Sequence, residues 1–191
     1  VPIEVDVEQR LDALATATIA VAGRRGAAGV TIRRVAAELG GSTTLVTNYV
    51  GSRATLLLNA IGYMLRTWEA DRVATLAGVD DAGRLLALAR WSCSTEPEDL
   101  VFRHLLVELI ASPDQPPEMA ALVRDARDHR DGLEEAARAG GLAPADAAAA
   151  ADVLFLVIRG FYYASIEDPE AWSSGRVLPL VERLVGLLTA R

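Results

Sequence analysis

The chain of 191 residues contains one cysteine, two histidines and no lysine. A lone Cys93 cannot close an intrachain disulfide, and it fits a reducing cytoplasm. His104 and His129 stand far apart, with no HxxE or HExxH spacing, so neither a metal site nor a cofactor is expected. GxSxG is absent and Cys93 has no histidine near it in sequence, which removes the common nucleophile arrangements. GGSTT lacks a lysine and follows a helical stretch rather than a strand, so it does not read as a phosphate loop. An enzyme is therefore not expected. No run of 18 or more apolar residues is free of charge, so no membrane span is expected. The opening VPIEVDVEQ is acidic where a secretory leader is basic, and the expected location is the cytoplasm.

At 51% hydrophobic the chain can bury a substantial core, as one domain or two small ones. Its net charge is −7, which looks wrong for a partner of nucleic acid until it is divided by position. From Arg10 to Arg53 there are six arginines against Asp12 and Glu38, and the acids dominate everything after residue 61. A basic amino-terminal block on an acidic body concentrates phosphate attraction in one place.

That block contains the most informative stretch, TIRRVAAELGGSTTLVTNYVGSRATLL, from Thr31 to Leu57. Thr31 suits a helix N-cap, and Ile32, Val35, Ala36 and Leu39 follow at i, i+3, i+4 and i+7, one apolar face of a two-turn helix. Gly40 and Gly41 end it, and Ser42 caps a second short helix. There Leu45, Val46 and Tyr49 continue an inward face, while Thr43, Thr44, Thr47 and Asn48 make a small hydrogen-bonding surface on the other side. Two short helices joined by a glycine turn, the second presenting polar side chains, form the pattern of a helix-turn-helix whose second helix enters the DNA major groove. Arg53, at the start of a third helix after Gly51-Ser52, suits a phosphate rather than a base edge. Arg33 and Arg34 are expected phosphate contacts too.

LGGSTTLVTNYVGSRATLL resembles the recognition end of the TetR (tetracycline-repressor-like) family of bacterial regulators. Gly40, Ser42, Leu45-Val46, Gly51-Ser52 and Leu56-Leu57 follow the family pattern in order and without gaps. Thr47 stands where the family usually has Tyr, Val50 where it has Phe, and Arg53 where it has Lys. The resemblance covers roughly residues 8 to 60. It implies that Thr31, Arg33, Arg34, Ser42, Thr43, Thr44, Thr47, Asn48, Tyr49 and Arg53 face double-stranded DNA. It also implies a helical carboxy-terminal body that forms a homodimer and binds an unidentified small molecule.

Periodicity and breakers predict about nine helices and an all-α fold: a helix-turn-helix domain over 6–52 and a helical ligand-binding and dimerisation domain over 53–191. Apolar spacing predicts the first helix from Asp6 to Arg25, a long helix from Arg53 to about Leu76, and a last one from Arg176 to Ala190. Met64, Trp68, Trp91, Phe102, His104, Phe155, Arg159 and Tyr162 are the candidate ligand-pocket residues, with core filling the alternative for most of the aromatics and core-edge packing the alternative for His104. Leu154, Val157, Phe161, Leu180, Leu184 and Leu187 are the expected dimer interface. His129, within RDARDHRDGLEE, reads as part of a solvated face. Tyr162 and Tyr163 are adjacent, so they must point to different faces. A bare buried guanidinium at Arg159 would cost several kcal/mol, so it has a partner, with Glu108 expected, or sits at an edge, or faces an anionic ligand. Two functions compete: a ligand-controlled DNA-binding regulator, and a helical ligand- or protein-binding module of the same fold without DNA function.

Overall fold

The protein was analysed as a computed structural model that describes residues 6–112, 116–117 and 119–190. Among them run nine α-helices and no strand: α1 (Val7–Arg25), α2 (Ile32–Glu38), α3 (Thr43–Thr47), α4 (Arg53–Leu76), α5 (Asp81–Trp91), α6 (Pro97–Ile110), α7 (Met119–Ala139), α8 (Pro144–Glu167) and α9 (Ser174–Thr189). A single 3-10 turn, Ala27–Gly29, follows α1. The all-α expectation is met.

Local chemistry sets most helix ends. Asp6 caps α1 by accepting from the backbone N–H of Glu8 and Gln9, and Thr31 and Ser42 cap α2 and α3 in the same way. At the end of α2, Gly41 N–H donates to Ala36 O at 2.9 Å and Gly40 N–H to Ala37 O at 3.1 Å. Gly40 has φ of 65°, so this Schellman closure depends on glycine. The same closure recurs at Gly141, whose φ is 94°, at the end of α7. α9 starts at Ser174, two residues before the sequence pattern suggests. Thr95 Oγ1 accepts from Ser174 N–H at 3.1 Å, a cap supplied from a distant loop.

The chain divides into two compact units. The first takes in the chain up to Thr67 together with Val101–Leu122, and the second takes in Trp68–Leu100 and the chain from Val123 onward. The division therefore falls inside α4, α6 and α7. The first unit is larger than the 6–52 span because α6 belongs largely to it. Phe102, Leu105, Leu106 and Leu109 recur at helical spacing and are buried, as are Leu14, Val21, Val35, Val46, Leu56, Leu57 and Ile61. Within this unit Asn59 Nδ2 donates to Leu11 O at 2.7 Å, tying α4 to α1.

The second unit packs α5, α7, α8 and α9 around Leu85, Leu88, Leu133, Ala137, Leu154, Ile158, Phe161, Val177, Val181 and Val185. By length and composition α8 could cross a bilayer. It also supplies the buried residues Ala147, Ala151, Leu154, Ile158 and Phe161 to this core. From α7, Arg130 Nε donates to Asp152 Oδ1 at 2.8 Å, and Arg130 is also paired with Glu134. Those carboxylates hold the Arg130 guanidinium above its ordinary range.

Candidate functional site

The first candidate surface is α3. Ser42 Oγ accepts from Leu45 N–H at 3.4 Å, and Val46 is fully buried beneath the helix. With Val46 fixed below, Thr43, Thr44, Thr47 and Asn48 all lie exposed. Thr47 Oγ1 donates to Thr44 O at 3.3 Å, which turns its hydroxyl toward the helix and leaves its methyl group outward. The surface is short, neutral and polar, and able to donate and accept at base edges.

The cations around it differ. Arg33 is exposed, whereas Arg24 is paired with Glu38. Arg34 Nη1 donates to Gly29 O at 2.7 Å, fastening α2 to the preceding turn. Thr31 Oγ1 is engaged as the α2 cap. Tyr49 is half-buried and lines a small recess with Arg10, Ala13, Leu14, Leu39 and Leu45.

Arg53, expected at a phosphate, has protein partners in the structure. Its Nε donates to Val30 O at 2.8 Å, and its Nη2 donates to Ala27 O at 2.9 Å and to Glu108 Oε1 at 2.8 Å. One guanidinium thereby joins the start of α4, the turn before α2, and α6. It fastens these three elements of the first unit together. Glu108, the expected partner of Arg159, pairs with Arg53 within the first unit.

The second candidate site lies within the second unit. Phe155, Arg159 and Tyr162 recur at i, i+4 and i+7, so they share one flank of α8 beside its core stripe. The Arg159 guanidinium carbon lies 5.0 Å from the Phe155 ring centre and 5.6 Å from that of Tyr162. His129 from α7 meets Phe155 edge-on, with ring centres 6.1 Å apart. The Ser92 hydroxyl donates to Leu88 O at 2.9 Å, so it can only accept from His129 Nε2–H, 3.1 Å away. Burial, with Arg159 and Arg72 adding like charge, pushes the His129 imidazole down to about 4. The ring is uncharged at neutral pH, and its Nδ1 remains an acceptor. Trp91, beside Ser92 in the chain, donates Nε1–H to Asp71 Oδ2 at 2.7 Å.

Several expected site residues therefore move. His129 is half-buried, not part of a solvated face, because it shares a helical face with Leu122, Leu133 and Ala137. That spacing was the available signal. The eight expected pocket residues divide between the two units. Met64 and Phe102 fill the first unit's core, and His104 is exposed. Trp68, Trp91, Phe155, Arg159 and Tyr162 belong to the second unit. Of the expected dimer residues, Leu154 and Phe161 are buried in the second unit's own core and cannot meet a partner. Leu184 packs against that core, while Val157, Leu180 and Leu187 are exposed. Leu156, 69% exposed, and Tyr163, 50% exposed, join that outer stripe. Tyr162 and Tyr163 thus divide as their adjacency requires.

No family model matches the chain, and no curated protein matches it. Solved structures do. One, reported as a transcriptional regulator from Saccharomonospora viridis in complex with choline, is 24% identical with a TM-score of 0.76, over 94% of this chain and 96% of that one. Another, reported as a TetR-family regulator from Rhodococcus sp., is 18% identical with a TM-score of 0.74, over 95% of this chain and 100% of that one. AibR, in complex with isovaleryl coenzyme A and operator DNA, is 17% identical with a TM-score of 0.64, over 94% of this chain and 98% of that one. Across nearly its whole length, the chain has the fold of TetR-type transcriptional regulators.

Proposed function

We propose that this protein is a DNA-binding transcriptional regulator that acts as a homodimer and whose operator affinity changes when the second unit takes up a small molecule. The observation that carries the reading is the four-residue polar surface of α3, held outward by a fully buried Val46 and set on the basic part of the chain. The AibR structure, with operator DNA and an acyl coenzyme A, supports both halves of it. Asn48 suits bidentate pairing with adenine, and the Thr methyl groups suit thymine methyls, so A·T contacts are expected at the centre of each half-site. Arg33 supplies a phosphate contact. Tyr49 and Arg10, which share a recess, sit beside the same surface.

One α3 reads few base pairs, and two heads about 34 Å apart would double the site. The exposed apolar stripe of Val153, Leu156, Val157 and Tyr163 on α8, with Leu180 and Leu187 on α9, suits a second copy of this chain. Leu156→Glu with Leu187→Glu would then convert a dimer to a monomer in sedimentation. Ligand control would operate by shifting the population of head separations rather than by blocking the surface.

The test is a gel shift of mixed genomic fragments across a salt series, followed by selection of bound sites with wild type and Asn48→Ala. Retention that weakens with salt is expected, with discrimination at one base pair falling by about 1–3 kcal/mol in the variant. Absence of any DNA retention would leave the protein as a ligand-binding module of the same fold.

A further inference from the structure

We infer that the Phe155–Arg159–Tyr162 flank of α8, with His129 and Ser92 beside it, is a recognition site for an organic carboxylate carrying an apolar body. This deepens the proposed ligand control and rests on that reading for its regulatory meaning. Four observations bear on it. Arg159 is half-buried, and among the described residues it has no carboxylate within ion-pair distance. Of the other partly buried arginines, 53, 72 and 130 each have one, and Arg84 on α5 has none among the described residues. Contact with ring faces stabilises the cation but uses none of its five N–H donors. A planar fork of that kind matches the two oxygens of a carboxylate.

The surroundings also select by charge. The imidazole of His129 carries no charge at neutral pH, and burial and the like charges of Arg159 and Arg72 keep it so. Arg72 is answered by both oxygens of Glu69, at 2.9 and 2.6 Å, so the charge left unanswered is that of Arg159. Asp71 is engaged by Trp91. Around this centre, Phe155 and Tyr162 offer partly buried ring surface for the body of a ligand. His129 Nδ1 offers an acceptor for a hydroxyl or amide N–H on it. A quaternary ammonium would meet the like charge of Arg159 and should be rejected.

The experiment uses full-length protein, without DNA, and calorimetric titration with a panel of carboxylates. Acetate, hexanoate, decanoate, benzoate and 3-phenylpropionate are each compared with their neutral amides, and 3-phenylpropionate also with its trimethylammonium counterpart. The expected result is that at least one carboxylate with an apolar body binds ten-fold or more tightly than its amide, while acetate and the ammonium do not bind. Arg159→Gln should abolish that preference and Arg159→Lys should keep part of it, with thermal melts confirming that each variant folds. Should Arg159→Gln fail to fold, Phe155→Leu, which removes a ring and leaves the charge, should weaken the carboxylate and its amide alike. The inference is overturned if no carboxylate outcompetes its amide, if the ammonium binds best, or if Arg159→Gln binds the carboxylate as wild type does. A parallel gel shift separates the two readings. Carboxylate binding without any DNA binding removes the regulator and keeps this site, and DNA binding without carboxylate preference does the reverse.

Discussion

Two half-buried arginines, Arg53 in the first unit and Arg159 in the second, solve the same problem in opposite ways. Each must hold a full positive charge partly out of water. Arg53 does so with three oxygens, the carbonyls of Val30 and Ala27 and the Glu108 carboxylate. Arg159 does so with two aromatic faces and no oxygen among the described residues. A guanidinium bonded to three fixed acceptors is a fastener. One resting on rings keeps its hydrogen-bonding edge available and reads as a receptor.

The largest effect that could break this contrast is on stability. Arg53→Ala strips the charge-assisted bonds to two carbonyls and leaves Glu108 alone, and should cost roughly 2–3 kcal/mol in denaturant unfolding, allowing for partial exposure. Its salt dependence of DNA binding should keep the wild-type slope. A slope smaller by about 0.9 would instead mark a phosphate contact.

His129 sharpens the comparison from the other unit. Its imidazole titrates near 4 when folded and near 6.5 when unfolded, so the unfolded chain takes up a proton first as pH falls. The stability present above pH 6.5 is therefore lost on acidification, by about 2 kcal/mol between pH 7.5 and pH 5. His129→Gln should remove this component of the pH profile in thermal melts. With burial as the larger cause and Arg159 the next, Arg159→Gln should raise the imidazole only part of the way back in an NMR titration.

Smaller still, Glu108→Gln keeps one acceptor for Arg53 and should cost about 1 kcal/mol. Arg159→Met, which exchanges a cation over rings for a thioether over rings, should change stability by less than about 1 kcal/mol. A large loss from Arg159→Met would place both arginines in the same structural role and dissolve the distinction.

How far the sequence revealed this differs by distance along the chain. The head was legible because its determinants are local: Thr31 and Ser42 at caps, Gly40 in a left-handed turn, and Val35, Ala36 and Val46 at helical spacing. The partners of Arg53 were hidden because they lie 23, 26 and 55 positions away. The same holds for Thr95, which caps α9 from 79 positions away. On α8 the difficulty was different. Leu154, Leu156, Val157 and Phe161 are all apolar, so hydrophobic periodicity does not separate the core stripe from the outer one, and the core residues Leu154 and Phe161 read as dimer face. His129 was obscured by the charges on either side of it, although Leu133, four positions on, marked its inner face.

The line between the two units crosses three helices and no loop. Most domain borders coincide with flexible joints where a chain can be clipped and both halves survive. Here every available clip severs a continuous hydrogen-bonded rod, so a free-standing head obtained by truncation would carry frayed stubs and lack the Glu108 that fastens it.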